Sequence, residues 1–349
     1  MLASVHIRIL DIFDPVDQAI VCVFVRNFGR QPIPRLRMAV AAKQPQAIRP
    51  SPEEIKAKRL NERNVEIAVR ALHEDGIVVV EDVIPHEDLD HLNAKMVADA
   101  RVLQARGEDG PFNYNKGNIQ QDAPPWAEYF HPSIFTNPIA TQITSTVLGP
   151  RPKWTFCSGN AAMPPVEGLE PQRQPVHNDV EFPHPPRPFA LVVNVPLPGM
   201  NPHNGSTEIW LGTHNRTEAK EGGQKGQRAT GHIREELLAE QVAKNGPPCQ
   251  PTVKKGSLVI RDFTIWHAGM PNMSDEVRLM LAMIHFASWF PNPTRLEYAE
   301  DVKPILEDLE ARGELNLEVP VNWVPKEEVV NTYLDRALGK KYKVNKTEE

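Results

Sequence analysis

Three His-x-Asp patterns stand in the sequence: His73-Glu74-Asp75, His86-Glu87-Asp88 and His177-Asn178-Asp179. An imidazole and a carboxylate two residues apart can share one metal ion only where positions i and i+2 lie on one face. That holds on a strand and fails on a helix. The first pair falls at the end of a helical pattern and the second at the start of one. Both there read as end-of-helix electrostatics, a histidine near the negative end and acids near the positive end. The third pair follows Pro175-Val176 and leads into Val180-Glu181-Phe182, in a strand-rich half of the chain. It alone is placed to present both groups to one ion.

Two ligands leave a site incomplete. Two histidines and one carboxylate on one side of a ferrous ion leave the opposite positions open for oxygen and substrate. His184, His203, His214, His232, His267 and His285 are the candidates for the second imidazole. His267 is best placed, closing the apolar run Leu258-Val259-Ile260 to Ile265-Trp266 just before the turn Gly269-Met270-Pro271-Asn272. His285 sits mid-strand between Ile284 and Phe286 and reads as a core histidine. Arg278 lies 11 residues beyond His267, at the start of a strand that is otherwise apolar apart from His285. A guanidinium buried there needs an anion, because an unpaired buried charge is costly. Its planar fork suits a carboxylate. The partner is either an Asp or Glu of this chain or the carboxylate of a ligand.

The elements that must position these groups follow from periodicity and punctuation. Residues 1–50 read as an N-terminal extension of low order. Asp11, Asp14 and Asp17 oppose a mitochondrial presequence. Ser51-Pro52-Glu53-Glu54 opens a helix running to about His73, with a capping serine, proline in the first turn and acids at the positive end. A strand at 77–80, a helix from Pro85 to about Arg106, a polar loop over 107–125 and a helix over 137–148 follow. Short apolar runs at 153–162, 189–197, 206–211, 257–262 and 277–287, separated by Pro, Gly and Asn, then predict antiparallel strands. The sequence carries 34 prolines, in keeping with many short turns. A charged insertion spans 215–250, with one helix at 233–244, and further helices are expected at 298–312 and 326–338. The expected fold class is α+β: a single domain over 51–349 whose core, about 150–290, is a double-stranded β-helix of jelly-roll or cupin-like form with flanking helices.

Composition narrows the partners. With 40% hydrophobic residues, the 349-residue chain can bury a core. The net charge of −6 argues against nucleic acid or an anionic membrane as partner, and no apolar run is long enough to span a bilayer. Cys22, Cys157 and Cys249 form neither a disulfide framework nor a Cys-x-x-Cys metal motif, which fits a reducing, cytoplasmic compartment. The insertion and the C-terminal helices offer surface for a homodimer. Phe112, Tyr114, Gln120, Met163, Phe182, Trp210 and Trp266 are candidate pocket residues; for each aromatic, plain core packing is the competing reading.

Several separated segments together resemble the phytanoyl-CoA dioxygenase family of Fe(II)/2-oxoglutarate oxygenases, over about residues 65–290. Residues 71–85, from Ala71-Leu72-His73 through Gly76 and Val78-Val79-Val80 to Pro85, resemble the family's opening helix and strand. Gln174-Pro175-Val176-His177-Asn178-Asp179 resembles its first metal motif. Asn204-Gly205-Ser206-Thr207 through Gly212-Thr213-His214 resembles its Asn-Gly-x-Thr and Gly-Ser-His turn, with Thr213 where serine is usual. His267 and Arg278 occur at the family's separation. The resemblance implies a non-haem dioxygenase with His177, Asp179 and His267 as Fe(II) ligands. It implies Arg278 as the clamp on the distal carboxylate of the cosubstrate 2-oxoglutarate, Gln174 and Thr207 as further cosubstrate contacts, and His214 as scaffold. It implies O2 as co-reactant, release of succinate and CO2, and hydroxylation as the default outcome; the apolar and aromatic pocket candidates point to an apolar small molecule, a specialised metabolite or a lipid, as substrate. The insertion lies outside the family pattern, so the substrate-facing lid does not carry over. Two rival readings keep the β core but change the chemistry: a cupin-like metal dioxygenase that needs no 2-oxoglutarate, and a non-catalytic jelly-roll partner subunit.

Overall fold

The computed structural model describes residues 42–180, 184–214, 216 and 232–336. The expected extension therefore lies outside the described residues up to 41, as do 215 and 217–231 of the 215–250 insertion. The end of the extension is ordered. Strand β1 (Gln46–Ile48) pairs in parallel with β2 (Ile77–Val80).

The expected first helix is two. Helix α1 (Pro52–Lys56) carries a full capping box between Ser51 and Glu54, and α2 (Glu62–Glu74) starts from a second cap, Asn61. The Glu54 carboxylate explains the break. It accepts from Ser51 N at 2.8 Å, Asn61 N at 2.7 Å and Asn64 Nδ2 at 2.9 Å, stitching both helix starts together. Helix α3 (His86–Gln104) follows as expected. The expected 107–125 loop instead contains the hairpin of β3 (Phe112–Asn113) and β4 (Asn115–Gln121). β4 is polar because it pairs at the sheet margin, with Ile119 fully buried and Gln120 opposite Asn160.

Helices α4 (Pro132–Phe135) and α5 (Pro138–Leu148) lead into β5 (Lys153–Ala162). Asn137 caps α5, accepting from Ile139 N and Ala140 N. The strand-rich half then runs β6 (Ala190–Pro196), β7 (Glu208–Trp210), α6 (Glu235–Asn245), β8 (Leu258–Asp262), β9 (Trp266–Ala268) and β10 (Arg278–Phe286). The chain closes with β11 (Leu296–Ala299), α7 (Lys303–Ala311), β12 (Val321–Val324) and α8 (Lys326–Thr332). The parallel pair β11–β12 stands where helix or loop was expected, and α7 accordingly begins later than 298. Residues 337 and 338 of the last expected helix lie outside the described residues.

The large sheet has the order β1-β2-β8-β6-β10-β5-β4-β3, antiparallel except at β1–β2. Facing it is a short layer, β7 paired with β9. Isolated bridges His177↔His267, Ile209↔Cys249 and Met200↔Val253 extend this layer on both sides. This is the jelly-roll arrangement, with one sheet fragmentary.

Alternation sorts the large sheet's two faces. Leu279, Leu281 and Met283 of β10 join Leu191, Val193 and Val195 of β6 in the main core under α2, α3 and α5. The other face of β10 carries Arg278, Met280, Ala282, Ile284 and Phe286, which line the space between the layers. One strand thus supplies a cation at one end of a cavity and an aromatic ring at the other. No described helix is long and apolar enough to cross a membrane.

Candidate metal centre

Two backbone bonds set the centre. His177 N donates to His267 O and His267 N to His177 O, each at 2.9 Å, so the two residues face one another across an antiparallel bridge. Their ring centroids lie 4.4 Å apart. Each imidazole is oriented by its own backbone: His177 Nδ1 stands 2.8 Å from Pro175 O, and His267 Nδ1 stands 3.0 Å from Ile265 O. A carbonyl can only accept, so each Nδ1 carries the proton and each Nε2 presents a lone pair. Those two Nε2 atoms converge on Asp179 Oδ1, at 4.0 Å from His177 and 3.6 Å from His267.

Electrostatics keeps all three in ligand form. Burial lowers the pKa of His177, and burial together with the nearby Arg261 charge pushes His267 down to about 3. Burial alone would raise the Asp179 carboxyl; His267, Arg261 and the bond from Arg261 hold it well below the usual carboxylate range. Three lone-pair donors therefore point at one another with no proton between them. A cation is what such a set lacks, and two neutral imidazoles with one carboxylate suit ferrous iron. Among the described residues this is the one group of three or more metal-capable side chains whose donor atoms all lie within 4.8 Å.

A cavity of about 680 Å³ opens beside the triad and holds all three side chains in its wall. At one end Arg278 is 3% exposed. Its Nη2 donates to Gly205 O at 2.6 Å and its Nε reaches Asn204 O at 3.5 Å, while its buried Nη1 has no partner among the described residues. No Asp or Glu of the described chain pairs with it, and burial alone lowers its pKa to about 10. Of the two anion sources left open by the sequence, an Asp or Glu of this chain is not found among the described residues. Thr207 lines this end with Met280, Ile209 and Met200. The opposite end is largely aromatic: Phe156, Phe263, Phe286 and Phe290, with Ile284 beside them.

Gln174 is not on the wall. Its Oε1 accepts from Gly269 N at 2.8 Å and its Nε2 donates to Asn113 O at 3.3 Å, so both ends of the amide brace the segment before His177. Tyr114 and Gln120 line the cavity as expected, and the Tyr114 ring lies 4.9 Å from that of His177. Trp210 and Trp266 pack instead with Val176, Ile233 and Leu237, whereas Met163 and Phe112 belong to the main core. Phe182 lies outside the described residues.

The remaining histidines are placed elsewhere. His214 Nε2 lies 3.1 Å from His73 O, and His184 stacks on Phe189. His203 is exposed. His232 bridges the His177 backbone from the other side. His285 bonds Thr144 Oγ1 at 3.1 Å behind the sheet. The other two His-x-Asp pairs do not chelate: Asp75 pairs with Lys43 and Asp88 with His131.

Sequence reasoning passed over Arg261. It lies on the cavity wall between Val259 and Phe263 and donates from Nη2 to Asp179 Oδ2 at 2.8 Å. The available signal was an arginine at even spacing inside an apolar strand.

A family description, phytanoyl-CoA dioxygenase, matches residues 72–280, more than half of the chain. Among solved structures the chain is similar to AviO1 from Streptomyces viridochromogenes Tue57, at 16% identity and a TM-score of 0.45, covering 65% of this chain and 96% of that one. It is similar to the epimerase SnoN, described in complex with Fe3+, alpha ketoglutarate and nogalamycin RO, at 17% identity and a TM-score of 0.48, covering 65% and 85%. It is also similar to EvdMO1, at 19% identity and a TM-score of 0.45, covering 66% and 50%.

Proposed function

Because the chain belongs to the phytanoyl-CoA dioxygenase family of iron- and 2-oxoglutarate-dependent oxygenases, we propose that it oxidises an apolar small molecule, a specialised metabolite or a lipid, with hydroxylation as the default outcome. His177, Asp179 and His267 hold the iron in this reading. The observation that carries it is the pairing of three convergent, proton-free donors with a buried guanidinium that pairs with no acid among the described residues, both in one cavity wall.

The bound iron and 2-oxoglutarate supply O2 activation coupled to oxidative decarboxylation, with succinate and CO2 released. The chain's own groups do the rest. Pro175 O and Ile265 O hold the imidazole protons on Nδ1, so both Nε2 atoms stay available. Arg278 receives the distal carboxylate, which satisfies its stranded Nη1 and fixes which end of the dicarboxylate faces the metal. Thr207, two residues beyond the Gly205 that Arg278 bonds, also lines the cavity. Phe156, Phe263, Phe286 and Phe290 exclude water from the other end and hold an apolar or aromatic part of the substrate. Among the described lining residues, the charged groups are Asp179, Arg261 bound to it, and Arg278, so the aromatic end selects for an uncharged group.

The test is turnover without substrate, followed by a substrate screen. Protein loaded with Fe(II) should consume O2 with 2-oxoglutarate alone and release succinate. Products from the screen should gain one oxygen or lose two hydrogens by mass spectrometry. Substrate oxidation without succinate would instead show a metal dioxygenase independent of 2-oxoglutarate. No O2 uptake under any condition would show a non-catalytic subunit.

A further inference from the structure

Asp179 lies outside every named strand, yet it must offer one oxygen to the centre that two imidazoles frame. We propose that Arg261, braced by Asn194, is the positioning residue that fixes Asp179 as a one-oxygen ligand. The inference rests on the reading of His177, Asp179 and His267 as a metal centre.

The bracket crosses three adjacent strands. Asn194 on β6 donates from Nδ2 to Leu281 O of β10 at 3.2 Å. That bond settles the orientation of the amide and turns Oδ1 toward β8. Arg261 on β8 donates from Nε to this Oδ1 at 3.1 Å and from Nη2 to Asp179 Oδ2 at 2.8 Å. Asn194 is 3% exposed and Arg261 7% exposed, so the bond between them is shielded from water, while the bond to Asp179 is part-buried. With Oδ2 engaged by a charge-assisted bond, Oδ1 is the atom left facing the two Nε2 positions. The ligand is thereby tied to the large sheet, although Asp179 itself lies beyond the bridges that hold His177.

Two effects of Arg261 oppose each other. Its charge repels a cation at the centre, and its bond orients the carboxylate that binds that cation. The geometry favours orientation, because the guanidinium meets the oxygen remote from the imidazoles. Removing an outer partner of a metal ligand weakens metal binding about 10- to 100-fold. A purely repulsive neighbour would do the reverse.

Anaerobic titration of the metal-free protein with Co(II), read by calorimetry and by the visible cobalt bands, separates these cases. Arg261→Gln should bind Co(II) about 10- to 100-fold more weakly than the parent. Its cobalt spectrum should change as Oδ2 is released to the ion. Asn194→Ala, which leaves the charge in place and removes the brace, should weaken binding several-fold. It keeps the question answerable if Arg261→Gln fails to fold. In an Asp179→Asn background the further change Arg261→Gln should alter affinity less than twofold, since the residue acts through Asp179. Arg151→Gln, which breaks a remote surface pair with Glu310, should leave affinity and spectrum unchanged. Parent-like or tighter Co(II) binding in both Arg261→Gln and Asn194→Ala would overturn the role given to Arg261. A parent protein that takes up no Co(II) would overturn the metal centre itself, and this inference with it.

Discussion

Replacing Arg278 by glutamine should separate cosubstrate recognition from folding. A buried arginine paired with an acid costs about 3–5 kcal/mol when the pair is broken, because the acid is left behind. Here no described acid is left behind. The side chain loses a bond to Gly205 O at 2.6 Å and a long contact to Asn204 O, and a desolvated cation is removed at the same time. These changes offset, so the metal-free variant should unfold within about 1–2 kcal/mol of the parent. Binding should respond quite differently. A hydrogen bond to a charged group contributes about 1.5–3 kcal/mol, roughly a 10- to 150-fold change in affinity. Anaerobic calorimetry of metal-loaded protein should compare 2-oxoglutarate with 2-oxobutyrate, which lacks the distal carboxylate. The parent should prefer 2-oxoglutarate by about that factor, and Arg278→Gln should bind the two alike, at the parent's affinity for 2-oxobutyrate. The reasoning is refuted if the variant keeps the parent's preference, or if it loses both ligands equally.

Three other outcomes follow from the same structure. His285 is buried, with burial pushing its pKa down to about 3 from an unfolded value near 6.5, so the unfolded chain binds the extra proton. The resulting stability is complete above pH 6.5 and is lost as pH falls toward 3; urea unfolding of the parent should lose about 2 kcal/mol from this group between pH 7 and pH 5. His285→Leu should lose correspondingly less over that interval, and an equal loss in both proteins would contradict the assignment. Tyr333 donates to Asp99 Oδ2 at 2.8 Å and accepts from Lys95, clasping the C-terminal segment to α3; Tyr333→Phe should cost about 1–3 kcal/mol in thermal unfolding, against no change if the clasp is idle. Gly76 has φ of +78°, and a Cβ there would stand 2.6 Å from His214 Nδ1, so Gly76→Ala should lower the melting temperature by several degrees, with an unshifted melt counting against the close approach.

Much of the centre was legible because its residues break a local pattern. Arg278 interrupts an apolar strand, and His267 sits where a strand meets a turn. His177 and Asp179 stand at a spacing that only extended backbone can use. Arg261 escaped notice because it follows Val259-Ile260 and precedes Asp262, so it reads as a strand end rather than as the middle of a wall. The aromatic end was hidden for another reason. Phe156, Ile284 and Phe286 look like core residues, and only the pairing of β5, β10 and β6 shows that their face lines a cavity. β4 was missed because Asn115, Lys116, Asn118, Gln120 and Gln121 carry no apolar alternation; its strand state comes from pairing with β5, which local sequence does not encode. The bonds of the Gln174 amide to Gly269 and Asn113 come from the tertiary fold and are not encoded by its local sequence.

The central claim is that two imidazoles and one carboxylate hold iron next to a dicarboxylic cosubstrate. Anaerobic addition of Fe(II) and then 2-oxoglutarate, followed by visible absorption, tests it most directly. A metal-to-ligand charge-transfer band should rise in the parent and be absent from Asp179→Ala. A parent that holds Fe(II) yet gives no band, or a band that persists unchanged in Asp179→Ala, would contradict it.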